Sequence, residues 1–134
     1  MLIAHEGQVS LDKENNSPGL LYLRTSKIEG DFQKIVSDTI KKVGSVLDSG
    51  SVPLLDRLDK GHLGGTGKSF DWNVAASLPK DWEFILAGGL NPANVSEAIS
   101  SVRPWAVDIS TGVETLGLKD PSKIKAFSEA VLTS

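Results

Sequence analysis

In the stretch PLLDRLDKGHLGGTGKSFDW, from Pro53 to Trp72, an apolar run ends on a carboxylate, Asp56, and passes into the glycines Gly61, Gly64, Gly65 and Gly67. Partial desolvation at such a mouth favours the protonated form of a carboxyl group and makes it a candidate for proton transfer. The competing reading of Asp56 is a loop-capping aspartate. Two more glycine-bearing stretches come later in the chain, LAGGLNPANV (Leu86 to Val95) and VDISTGVE (Val107 to Glu114). A phosphate needs several converging backbone N–H donors with no Cβ in the way. A glycine pair leading into a helix N-terminus supplies the donors, the room and a favourable dipole. Gly88 and Gly89 ahead of Asn91-Pro92 have that form, and Ser110, Thr111 and Gly112 add hydroxyls beside another turn. A single glycine cluster is more often a plain turn; three on successive strand ends point to an anion site.

Asp108 lies among apolar neighbours in AVDIS, where a carboxylate must be paired or functional. His62 and Lys68 read as solvated groups; Glu114, just past the last strand, reads as a solvated loop residue or one that helps position substrate. The GGTGK run is not a P-loop, because the spacing to Gly67-Lys68 is too short and places His62 where the first glycine should stand. No GxGxxG pattern comes after a strand, so no dinucleotide site is expected.

With 134 residues and 40% hydrophobic content, the chain has the size of one domain. A net charge of −3, from 14 basic and 17 acidic residues well mixed, gives no footprint for nucleic acid or an anionic membrane. No apolar run reaches about 18 residues, and Glu6, Asp12 and Glu14 interrupt the start where a signal peptide would be apolar. A soluble, cytoplasmic protein is expected. Cysteine is absent, which removes disulfides, thiolate metal sites and a cysteine nucleophile or base. His5 and His62 stand far apart, so no metal site is expected.

The elements that would position these residues alternate. Residues 1–19 read as an irregular lead-in. Strands are expected at Leu20 to Thr25, Ser51 to Asp56, Asp81 to Gly89 and Trp105 to Thr111. A helix from Asp31 carries Phe32, Ile35, Val36, Ile40, Val43 and Leu47 on one face. A second runs from Asp71, as N-cap, to Leu78. A third has Asn91 as N-cap and Pro92 at its first position. The last starts at Asp120-Pro121 and turns Ile124, Phe127, Ala130 and Val131 inward. Four consecutive β/α units mean a parallel sheet with right-handed crossovers and a site at the carboxyl ends of its strands.

Taken together, PLLD, GGTGKSFDW, LAGGLNPANV, VDISTGVET and GLKDPSKIKAF resemble the carboxyl-terminal half of phosphoribosylanthranilate isomerases, over about Ser51 to Val131. Residues 20 to 50 fit the preceding strand and helix in pattern only. The resemblance implies strands five to eight of a (β/α)₈ barrel, spanning residues 20–134. It also implies a cofactor-free Amadori rearrangement in tryptophan biosynthesis, from N-(5-phosphoribosyl)anthranilate to 1-(2-carboxyphenylamino)-1-deoxyribulose 5-phosphate. In that family an acid helps open the ribose ring and a base moves a proton from C2. The acid ends the sixth strand and matches Asp56. The loops after strands seven and eight hold the phosphate and match Gly88, Gly89, Ser110 and Thr111; Gly112 is expected beside them, and Gly64, Gly65 and Asp108 in the active-site loops. The family's base is a cysteine at the end of the first strand, with an arginine from the second-strand region for the anthranilate carboxylate. This chain has no cysteine and no room for four earlier strands.

Two readings therefore stand. One is an isomerase fragment, inactive alone, that binds a phosphorylated small molecule. The other is a non-catalytic phosphate-binding module that self-associates or joins a separate amino-terminal half-barrel. Either way, unpaired edges are expected on Leu20 to Thr25 and Trp105 to Thr111, with a bare inward face between them.

Overall fold

A computed structural model describes residues 2–4, 22–25, 32–57 and 67–134. The protein is α/β. Its main sheet has five strands in the order β1-β5-β4-β3-β2, all parallel: β1 Leu2–Ala4, β2 Tyr22–Thr25, β3 Leu54–Arg57, β4 Ile85–Leu86 and β5 Ala106–Ile109. Helix α1 (Phe32–Asp48) connects β2 to β3, α2 (Gly67–Ala76) connects β3 to β4, and α3 (Val95–Val102) connects β4 to β5. Beyond β5 the chain makes one 3₁₀ turn (Thr111–Val113) and a small antiparallel hairpin, β6 (Glu114–Thr115) with β7 (Leu118–Lys119). It then enters α4 (Pro121–Leu132).

Side chains alternate across the sheet. Leu55, Leu86, Val107 and Ile109 face the helices, where they join Val43, Ala98, Val102 and Phe127 in the larger core. Leu54, Ile85, Ala87 and Ala106 form a second cluster on the opposite face. The apolar period of α1 places Val43 and Val46 inside with Ile40 and Leu47 against them, and Thr39 joins them by donating its hydroxyl to the Ile35 carbonyl at 2.7 Å.

Several expectations are corrected. Leu2–Ala4 lies in the segment read as irregular, yet it is a strand in register with Val107, Asp108 and Ile109 of β5. The edge expected to be bare on β5 is therefore covered, and the sheet has five strands. Nor is the inward face bare: Leu54, Ile85, Ala87 and Ala106 are 1%, 3%, 6% and 4% exposed. Helix α2 begins at Gly67, so Asp71 is interior to it and not its N-cap. Regular helix in α3 begins at Val95, after a turn over residues 92–94, so Asn91 caps that turn and not the helix proper. The β5 strand is shorter than Trp105 to Thr111; Trp105 is 41% exposed and Thr111 starts the 3₁₀ turn. Ile124 is 40% exposed, so α4 anchors through Phe127, which is 1% exposed, with Ala130 and Val131 beside it.

Candidate active site

Register brings the two carboxylates singled out in the sequence to one level. Leu54 pairs with Ile85 and Ile85 with Ala106; one residue on, Leu55 pairs with Leu86 and Leu86 with Val107. The next row across the sheet is Asp56, Ala87 and Asp108, and Ala87 N–H donates to the Leu55 carbonyl at 2.8 Å. Alternation turns all three to the face that carries Leu54, Ile85 and Ala106. Two strand spacings separate the backbones of Asp56 and Asp108, on the order of 10 Å, with only the Ala87 methyl between them. Asp56 is half-buried and Asp108 is 8% exposed. The row thus sets two carboxylates over an apolar layer on one face of the sheet, with a small residue on the strand between them.

The turn leaving β4 carries two left-handed residues, Gly88 with φ 85° and Gly89 with φ 68°, a conformation that costs glycine nothing. A pair of asparagines then fixes the backbone between this turn and α3. The Asn91 side-chain oxygen accepts from the N–H groups of Ala93 (2.8 Å) and Asn94 (3.1 Å). Asn94 accepts from Asn91 N–H at 2.8 Å and donates its amide to the Gly89 carbonyl at 3.0 Å. The first N–H groups ahead of α3 are thus already used within the turn. The N–H groups of Gly88 and Gly89 take no part in this network.

The turn leaving β5 packs directly on this one. A Cβ built on Gly112 would lie 1.8 Å from the Leu90 carbonyl oxygen and 3.1 Å from the Asn91 Cα, so the two strand exits share a backbone contact that only glycine permits. The hairpin folds back to brace the turn. Lys119 Nζ donates to the Ser110 carbonyl at 2.9 Å and to Glu114 Oε1 at 2.7 Å, and Lys123 Nζ donates to the Glu114 carbonyl at 2.6 Å. Glu114 is accordingly an ion-pair partner on β6, not the solvated loop residue expected. Asp120 caps α4 by accepting from Ser122 N–H at 2.9 Å and also accepts the Thr115 hydroxyl at 2.7 Å. The Thr115 hydroxyl, then the Ser122 N–H, hold its carboxyl below the ordinary aspartate range.

Asp56, Asp108, Gly88, Gly89, Ser110, Thr111 and Gly112 all lie on β3, β4, β5 or the turns leaving β4 and β5, so the strand order gathers them at one end of the sheet. Gly64, Gly65, His62 and His5 lie outside the described residues, as does the Lys68 side chain. Sequence reasoning did not single out Lys119, Lys123 and Asn94. The residue signal for Asn94 was its place three positions after Asn91; lysines that grip carbonyls leave no such mark. Among the described residues no group of three His, Asp or Glu could hold a metal ion, and no helix is long and apolar enough to cross a membrane.

The family model for N-(5'-phosphoribosyl)anthranilate isomerase matches residues 25–130. The chain belongs to this isomerase family. Its relatives include the N-(5'-phosphoribosyl)anthranilate isomerase of Desulforudis audaxviator, 60% identical over 74 residues, which are 55% of this chain and 36% of that protein. The isomerase of Dehalococcoides mccartyi is 39% identical over 103 residues, covering 77% of this chain and 47% of that one. The chain therefore spans half or less of the length of these relatives. Among solved isomerase structures, that from Thermococcus kodakaraensis superposes with a TM-score of 0.66 at 30% identity, over 86% of this chain and 52% of that one. A phosphoribosyl anthranilate isomerase in complex with reduced 1-(o-carboxyphenylamino)-1-deoxyribulose 5-phosphate superposes with a TM-score of 0.56 at 28% identity.

Proposed function

We propose that this chain supplies the general acid and the phosphate site of a phosphoribosylanthranilate isomerase, with β2 to β5 as strands five to eight of a (β/α)₈ barrel. The adjacent, chain-ordered run β2-β3-β4-β5, with a helix in each crossover, supports that placement. So does a likeness that covers 52% of a solved relative. The observation that carries the reading is the row Asp56, Ala87, Asp108 beside two glycine turns locked together at Gly112 and Leu90. Backbone N–H groups of Gly88, Gly89, Thr111 and Gly112 take the 5-phosphate of the substrate, which lays the ribose over the carboxylates. Asp56 protonates the ring oxygen as the furanose opens, and Asp108 faces the same sugar from the far side of Ala87. The chain has no cysteine, so the acceptor of the C2 proton comes from the complementary half of the barrel.

A calorimetric titration with reduced 1-(o-carboxyphenylamino)-1-deoxyribulose 5-phosphate tests the site. Saturable binding that inorganic phosphate competes away is expected. No binding, or binding indifferent to phosphate, overturns the assignment.

One observation favours the second reading, the non-catalytic phosphate-binding module that self-associates or joins a separate half. Strand β1 occupies the place beside β5 that the first barrel strand would take. Both readings share the anion site and differ in turnover, which the module lacks in any company.

A further inference from the structure

Lys119 is gathered into the turn beyond β5 by contacts that formation of the hairpin does not require. The β6–β7 ladder already pairs Glu114 with Lys119 and Thr115 with Leu118, and Asp120 N–H donates to the Val113 carbonyl at 2.8 Å. Yet the ammonium of Lys119 reaches back nine residues to the Ser110 carbonyl while it pairs with Glu114, and the two side chains are only 27% and 22% exposed. The described chain has no cis peptide bond, and across a trans peptide the C=O of one residue and the N–H of the next point in opposite directions. A cation that holds the Ser110 carbonyl on one side therefore fixes the Thr111 N–H on the other. It also draws electron density toward that carbonyl and strengthens the amide as a donor.

We propose that Lys119 is a positioning residue for anion binding: its grip on the Ser110 carbonyl sets the direction of the Thr111 N–H that meets a phosphate. The inference rests on the phosphate reading of the Ser110–Gly112 turn given under Proposed function. Glu114 neutralises most of the lysine's charge, so the effect is one of direction more than of long-range attraction. Lys119 and Glu114 are thereby unequal partners. Loss of the lysine frees the Ser110 peptide to rotate and leaves a carboxylate near the anion. Loss of the carboxylate leaves the carbonyl contact intact.

Inorganic phosphate titrated into the ¹⁵N-labelled full chain, followed by amide shifts, separates these cases. In the unaltered protein the amides of Gly88, Gly89, Thr111 and Gly112 are expected to move together; if none responds, the phosphate reading itself fails. Lys119→Met is expected to weaken phosphate binding roughly tenfold, the scale of one hydrogen bond to a charged group. The Thr111 amide should be displaced even without phosphate. Lys119→Arg, which keeps a cation and donors, restores most of the affinity. Glu114→Gln binds phosphate at least as tightly as the unaltered chain. Lys125→Met, which removes the same charge from an exposed site on α4, leaves affinity unchanged. Equal weakening by Lys119→Met and Glu114→Gln would reduce the lysine to a strut of the hairpin, and unchanged affinity in Lys119→Met would remove its role outright. Should Lys119→Met not fold, the Glu114→Gln and Lys119→Arg comparison carries the same decision.

Discussion

Gly112 and Leu90 touch backbone to backbone: a Cβ on the glycine would stand 1.8 Å from the leucine carbonyl oxygen and 2.9 Å from its carbonyl carbon. Those residues belong to the exits of neighbouring strands, β5 and β4. Because Leu90 is itself 2% exposed and packed in the core, the contact has no slack to give. The contact ties the two turns together backbone to backbone.

Gly112→Ala is therefore expected to cost about 3 kcal/mol or more, since backbone atoms cannot step aside as a side chain could. Gly117→Ala makes the contrast. Its φ of 76° penalises any side chain, but nothing lies within 4 Å of the added methyl, so about 1 kcal/mol is expected. Urea unfolding of both variants checks the order, and equal costs would remove the special status of the Gly112 contact.

The elements that were legible in the sequence carried their own chemical marks. Asp120-Pro121 opens α4 where the pattern placed it, because a carboxylate cap and a fixed proline φ act locally. Asp108 stood out because a carboxylate between apolar residues in a strand is expensive without a purpose. What escaped was decided at a distance. Asp71 looks like a cap, but burial of Val74 and Ala75 fixes the helical face, and the helix already begins at Gly67, the last glycine of the run. Leu2–Ala4 has only three residues, too few for a period, and becomes a strand because β5 offers it an edge. The β6–β7 hairpin turns through Leu116 (φ 53°) and Gly117 (φ 76°). Glycine at the second position is a familiar signal for such a turn, whereas leucine at the first hides it.

Asp120 gives the fold a pH dependence of known sign. Its native carboxyl is held below the ordinary aspartate value by the Thr115 hydroxyl and the Ser122 N–H. Its contribution is thus fully present above the unfolded value of about 3.9 and is lost as pH falls through the lower native value. Thermal melts of the unaltered chain and Asp120→Ala should differ by a constant margin at neutral and mildly acidic pH. The margin should close below about pH 4. A margin independent of pH down to strong acid would show that the charged form of Asp120 does nothing for α4.

Ser110→Glu places a negative charge at the mouth of the second turn while the Ser110 backbone carbonyl, gripped by Lys119, is kept. Phosphate affinity is expected to fall by at least about tenfold, from like-charge repulsion over a few ångströms. The melting temperature should barely change. Calorimetry with inorganic phosphate reads the effect, and an unchanged affinity would put the anion somewhere other than between these turns.

The central claim is that Asp56 gives the proton in an isomerase whose other half lies outside this chain, and turnover tests it most directly. The 134-residue chain would be mixed with an amino-terminal half-barrel from the Thermococcus kodakaraensis isomerase, and consumption of phosphoribosylanthranilate followed by its fluorescence. The expected result is no turnover by either piece alone and turnover by the pair, with Asp56→Asn lowering kcat by about 10² or more, the scale of lost general-acid catalysis, while product-analogue affinity is kept. Turnover by this chain alone, an associated pair that does not turn over, or near-normal kcat in the Asp56→Asn pair would contradict the account.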